Sequence, residues 1–175
     1  MKRPTHILLG AAVAMPIAVP LSPGLALGVV WFGMAGGGFP DWFDLRSELR
    51  GPLRLRHRGA SHGLLFGAIV TAGIWIALSA LSGVTLDAGA LAFDIPVSVV
   101  QPWTLAFAAG FLSHLLSDAW TVAGIRPLLP LAPVRFWIVP GFLRGRSSGP
   151  LDAVARVIAV CGVVAGLIAY VVRYV

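Results

Sequence analysis

The sequence predicts an all-α fold, a polytopic transmembrane helical bundle that forms a single integral membrane domain over residues 1–175. The first observation behind this prediction is composition, because 58% of the residues are hydrophobic and only 11% are charged. Soluble domains carry about 25% charged residues, and a chain this apolar would expose large hydrophobic patches in water. The second observation is that the apolar residues are grouped into four to five hydrophobic segments, which turn-forming or arginine-rich stretches separate.

The first two segments, Ile7–Val19 and Leu25–Ala35, are short and are joined by the turn-like sequence PLSPG. A helix needs about 20 apolar residues to cross a membrane core of about 30 Å. We therefore expect two short spans or a helical hairpin that dips into the membrane. The basic start of the chain could suggest a signal peptide, but prolines and a second apolar run follow at once, so we expect this segment to be retained. The glycine-rich run 33–38 lacks the lysine of a phosphate-binding loop and is interpreted as a flexible exit or a place of close backbone approach.

The three remaining segments, Gly63–Leu81, Pro102–Val122 and Ala153–Val172, are each long enough to span a membrane. The apolar stretch Pro127–Phe142 contains four prolines, so we predict a loop or an interfacial segment there. Cys161 is the only cysteine, which excludes an intrachain disulfide, and we interpret it as a small buried hydrophobic residue.

The arginines predict the orientation of the bundle. Loop 39–61 carries five arginines and loop 123–152 carries four, whereas loop 82–101 carries two aspartates and no basic residue. Basic loops stay in the cytoplasm, so the N-terminus is predicted to be cytoplasmic and loop 82–101 to lie outside. The net charge of +6 is then explained by loops that contact anionic membrane lipids, and no nucleic acid partner is expected.

One ionisable pair lies in the apolar sequence FLSHLLSDAW, where His114 and Asp118 are spaced to share a helix face. Charged groups inside a membrane helix are costly and are functional candidates for that reason. Under the predicted orientation every histidine of the chain and two further aspartates lie toward the same cytoplasmic side. Imidazole and carboxylate ligands together suit a divalent metal, with zinc as first choice and manganese or iron as alternatives.

The predicted metal ligands are His6, Asp41, His57, His62, His114 and Asp118. Two further residues receive catalytic roles: Arg58 could clamp an anionic substrate, and Asp44 could be another ligand or a carboxylate that orients a histidine. Simpler interpretations remain open, since the His114–Asp118 pair could be a structural hydrogen bond, His6 an interfacial anchor and Asp41 a turn cap.

The motifs PTH, GFPDWFD, HRGASH and GFLSHLLSDAWT, followed by PLLPL, resemble the bacterial YdjM-type family of membrane-bound metal-dependent hydrolases, described as LexA-binding inner-membrane hydrolases. The resemblance covers roughly residues 1–140 and implies an inner-membrane protein with a metal-dependent hydrolase site. By position, it implies these motif residues: His6, Asp41, His57, Arg58, His62, His114, Asp118 and Thr121. The family pattern has one residue between its two acids, whereas two separate Asp41 from Asp44 here. Gly63 stands where the family often has serine.

We therefore predict a metal-dependent hydrolase of the bacterial inner membrane, in which metal-activated water attacks a lipid-like or other membrane-proximal ester or phosphoester at the cytoplasmic face. One alternative is a transporter or channel with His114 and Asp118 lining an ion path. The middle of each span carries almost no polar residues, which counts against that path. The other alternative is a membrane scaffold whose basic cytoplasmic loops bind a partner. The oligomeric state is not predicted.

Overall fold

The computed structural model describes residues 1–42, 59–82, 86–87, 92–93 and 96–174. Within these residues the chain forms five α-helices and one pair of two-residue strands. The helices are α1 (Arg3–Ala18), α2 (Pro23–Trp42), α3 (Leu64–Leu81), α4 (Val100–Ala119) and α5 (Pro150–Tyr174). The antiparallel strands are β1 (Leu86–Asp87) and β2 (Ala92–Phe93), with Leu86 opposite Phe93. The predicted all-helical class is confirmed.

Three stretches are long and apolar enough to cross a membrane: Leu64–Leu81, Val97–Ala119 and Pro150–Tyr174, with 18, 23 and 25 residues. At about 1.5 Å per residue, each reaches roughly the 30 Å of a hydrocarbon core. Most side chains of α3 and α5 are exposed, as expected for helices that face lipid, whereas half of α4 is buried. The three stretches overlap the last three predicted segments.

Glycines bring α1, α2 and α4 into direct backbone contact. A Cβ atom added to Gly10 of α1 or to Gly110 of α4 would collide with the carbonyl group of Gly33 in α2. Without side chains at these positions, the three helices pack at very short range. The run 33–38 lies inside α2, so the expected flexible exit is wrong, and the alternative of close backbone approach is what the structure shows.

The apolar core lies beside this contact and is dominated by Phe107, Phe111 and Leu115 of α4. Helix α5 packs along α1, and α3 packs chiefly against α4. Cys161 is exposed on α5, so its interpretation as a buried residue is wrong: α5 presents most of its surface outward.

The proline-rich stretch after α4 forms turns and isolated bridges in place of a long helix. Ile125 pairs with Phe136 through an antiparallel bridge, and Thr121 pairs with Gly145. A short 3₁₀ turn at Gly141–Leu143 is its only helical part. This agrees with the predicted loop, because prolines lack the N–H group that a helix requires.

Candidate metal centre

Five predicted site residues meet at one end of the bundle. His6 lies in the first turn of α1, Asp41 near the end of α2, and His114 and Asp118 in the last turns of α4. His62 lies in the 3₁₀ turn Ala60–His62, just before α3. Because α1 begins where α2 and α4 end, residues that are far apart in sequence become neighbours. We call these five residues the His/Asp cluster.

The His/Asp cluster contains two groups of three ligands that share His114. In one group, Nε2 of His6 lies 3.4 Å from Oδ1 of Asp118, and Nε2 of His114 lies 3.9 Å from Oδ2 of Asp118. In the other, Oδ1 of Asp41 lies 3.7 Å from Nε2 of His62 and 3.8 Å from Nε2 of His114. Two ligands held about 2.0–2.1 Å from a tetrahedral zinc ion stand roughly 3.3 Å apart. The spacing therefore fits a metal site after a small inward movement.

Hydrogen bonds at the opposite ring nitrogen determine which atom two of the histidines can offer. Nδ1 of His114 lies 2.8 Å from the carbonyl oxygen of Gly37, which can only accept, so Nδ1 donates. Ser117 donates its single hydroxyl proton to the backbone oxygen of His114, at 2.9 Å. The Ser117 oxygen, 2.9 Å from Nδ1 of His6, must then accept from that nitrogen. In the neutral ring, Nε2 of each histidine therefore carries a lone pair, which is how outer hydrogen bonds prepare metal ligands.

The same two Nε2 atoms, those of His6 and His114, are buried and have no hydrogen-bond partner within the described residues. A buried polar atom without a partner costs about 1–3 kcal/mol, so such atoms call for a ligand or another explanation. The donors themselves, neutral imidazoles and ionised carboxylates, fit a bound divalent cation. An ion at Oδ1 of Asp118 would displace the α-ammonium group of Met1, which is 2.5 Å from that oxygen.

A protein-family model matches the chain. The description of the family is YdjM inner membrane protein, and the match extends over residues 1–175. The chain belongs to this family. No curated protein and no solved structure matches the chain. The family suggested by the motifs is thus confirmed, and it extends beyond the region that the motifs cover.

Three residues that the sequence analysis did not select support the cluster in this member of the YdjM family. They are Gly37 and Ser117, described above, and Ser61, whose hydroxyl oxygen lies 3.1 Å from Nδ1 of His62. Ser117 follows His114 by three residues, so helical spacing was a signal that could have indicated it. Gly37 acts through its backbone carbonyl group, and no side-chain pattern reports that.

A second group of contacts holds the start of α1, and the sequence analysis missed it as well. The backbone N–H of Lys2 donates to Oδ1 of Asp152 at 2.8 Å. Arg156 donates to Oδ2 of Asp152 at 3.1 Å and to the hydroxyl oxygen of Thr5 at 3.2 Å. Thr5 directly precedes His6, so α5 fixes the segment that carries this histidine.

Four predicted residues remain, and the structure describes one of them, Thr121. Thr121 is buried and donates from its hydroxyl group to the backbone oxygen of Asp118, at 2.8 Å. It therefore supports the backbone beneath a predicted ligand. Asp44, His57 and Arg58 lie outside the described residues. Their roles stay predictions, as does the binding of a metal by the cluster.

Proposed function

We propose that this YdjM-family protein is a metal-dependent hydrolase of the bacterial inner membrane. The observation that supports the proposal most strongly is the buried cluster of three imidazoles and two carboxylates, in which the Nε2 atoms of His6 and His114 are held ready for a ligand. Such mixed nitrogen and oxygen ligands suit zinc first, and manganese or iron as alternatives.

The shared histidine favours a site for one ion. Nδ1 of His114 is occupied by Gly37, so His114 can offer only Nε2, and that atom belongs to both groups of three. A single ion bound at His114 would therefore take its other ligands from the surrounding members of the cluster. His57 would add a ligand from the loop before α3.

A bound divalent ion would lower the pKa of a coordinated water toward about 7 and would polarise the ester or phosphoester. Asp41 marks the open side of the cluster, since 12% of its side chain is exposed, against 1% or less for His6, His62, His114 and Asp118. From that side its carboxylate can accept a proton from the attacking water. Arg58 would hold an anionic substrate, and Asp44 would supply a second carboxylate.

We propose that the cluster faces the cytoplasm. The positive-inside pattern supports a cytoplasmic N-terminus, an α1–α2 hairpin that enters from that side, and spanning helices α3 to α5. In such a multi-pass topology the start of α1 and the ends of α2 and α4 all lie at the cytoplasmic face. The substrate would then be a lipid-like ester or phosphoester of that leaflet.

Metal content tests the proposal. We would measure it by mass spectrometry on detergent-purified wild type, His114→Ala, His62→Ala and a matched control, Ser113→Ala. Ser113 is buried beside His114, and the hydrogen bond found for its hydroxyl group goes to the backbone oxygen of Gly110.

We expect near-stoichiometric zinc, manganese or iron in the wild type and the control, and loss of the metal in both histidine variants. This result would justify a screen of esters and phosphoesters. A wild type without metal, even after reconstitution with each ion, would refute the metal-dependent hydrolase. The transporter and scaffold hypotheses would then be tested next.

A further inference from the structure

An open groove of about 560 Å³ runs between α3 and α4, and none of the described side chains that line it is charged. Small residues line its middle, namely Ala68 and Ala72 of α3 and Ala108 of α4, whereas the larger Leu64 and Trp75 lie toward its two ends. Small residues between membrane helices usually let the two backbones approach each other. Here they border open space, so their effect is to keep the groove wide.

The groove begins beside the His/Asp cluster. Leu64 follows His62 by two residues, and Phe111 precedes His114 by one helical turn on the same face of α4. At this end α3 packs directly against the ring of Phe111. Gly67 makes this contact possible, because a Cβ atom at this position would collide with the ring. A molecule in the groove would therefore have one end next to the cluster.

The length and surroundings of the groove match one leaflet of a membrane. Trp75 follows Leu64 by eleven positions along α3, which corresponds to a rise of about 16 Å. This is roughly half of a 30 Å hydrocarbon core. Leu64, Trp75 and Leu112 at the edges of the groove are each more than 40% exposed, so the groove is open along the surface that a spanning α3 presents to lipid.

We propose that this groove binds one acyl chain of a membrane lipid whose head group lies at the His/Asp cluster. The proposal rests on the proposed function and narrows its substrate class to acyl-chain lipids of the leaflet that contains the cluster. The chain would be bound by apolar contact along α3 and α4, and the ester or phosphoester bond would be positioned by the start of the groove.

Photo-crosslinking tests this binding site. The probe is phosphatidic acid with a diazirine in its acyl chain, diluted into vesicles of phosphatidylethanolamine and phosphatidylglycerol that contain the full-length protein. Ala72→Phe fills the groove. Ala77→Phe is the matched control, since Ala77 is an exposed alanine of the same helix that does not line the groove.

We expect labelled peptides from the facing parts of α3 and α4, a loss of label of about tenfold in Ala72→Phe, and wild-type labelling in Ala77→Phe. Equal labelling of both variants, or uniform labelling along α3 and α5, would show that the probe contacts the protein only as part of the surrounding lipid. Either result would overturn the proposal. Dimers joined through α3 by an added bifunctional crosslinker would overturn it as well, because a second copy of the chain would then fill the groove.

Two further measurements separate this inference from the proposed function. Metal content should be equal in wild type and both phenylalanine variants, which also shows that they are folded. Hydrolysis of the water-soluble bis(para-nitrophenyl) phosphate by the wild type needs the cluster but no acyl chain, so it reports on the hydrolase independently of the groove. If the metal and this activity are present but Ala72→Phe is labelled as strongly as the wild type, the acyl-chain site is refuted and the hydrolase is not.

Discussion

Replacing Ser117 with alanine isolates the hydrogen bond that orients His6. The Ser117 hydroxyl oxygen accepts from Nδ1 of His6 at 2.9 Å, and only 8% of Ser117 is exposed, so water does not readily replace it. Without this acceptor, the neutral imidazole can carry its proton on either nitrogen, and the lone pair on Nε2 is no longer enforced. Loss of such a supporting bond to a metal ligand typically lowers metal affinity by about 10–100-fold.

The free energy of the lost hydrogen bond agrees with this range. A buried donor left without its acceptor costs about 1–3 kcal/mol, which corresponds to roughly 5–150-fold in an equilibrium constant. The chain offers a matched control in Ser113→Ala. Ser113 is also in α4, is 9% exposed and bonds the backbone oxygen of Gly110 at 2.7 Å, as Ser117 bonds that of His114 at 2.9 Å. The two substitutions therefore remove the same atom and a similar helix contact.

The assay is a zinc titration of the purified protein in competition with a chromophoric chelator. We expect Ser117→Ala to bind zinc about 10–100-fold more weakly than the wild type and Ser113→Ala to bind it unchanged. Thermal unfolding without metal should show both variants to be less stable than the wild type, and Ser117→Ala the less stable of the two, because it also leaves Nδ1 of His6 without its acceptor. Equal zinc affinity in the two variants would refute the argument that Ser117 prepares His6 as a ligand.

Three further predictions follow from the packing around the cluster. Gly37→Ala should destabilise the fold by about 1–3 kcal/mol, because its Cβ atom would collide with the backbone oxygen of His6; an unchanged melting temperature in detergent would contradict this. Arg156→Ala should lower the free energy of unfolding by about 1 kcal/mol, because its hydrogen bonds to Thr5 and Asp152 are lost. Its metal content should stay at the wild-type level, and loss of the metal would show that α5 is required for the site. Zinc affinity should fall in acid, since imidazole and carboxylate ligands bind a metal only when they are deprotonated; a zinc affinity that is independent of pH would argue against these ligands.

The membrane class, the last three helices and the family could all be predicted from the sequence. Hydropathy and segment length are local properties, so Gly63–Leu81 indicates a span without knowledge of its neighbours, and α3 covers almost the same residues. The extent of the second helix could not be predicted in this way. Its glycine run suggests a break, yet α2 continues to Trp42, because contact with α1 and α4 stabilises a helix that glycine alone disfavours.

The sequence by itself determined which residue types are available for the candidate site, because imidazoles and carboxylates in a chain this apolar are few and costly. Only the tertiary structure decided their arrangement. It placed His6 beside Asp118 and His62 beside Asp41, with His114 common to both, and it set the ring orientations through Gly37 and Ser117. The physical reason is that these distances depend on how closely α1, α2 and α4 pack, and that packing is a property of helix pairs, which the periodicity of a single segment does not report.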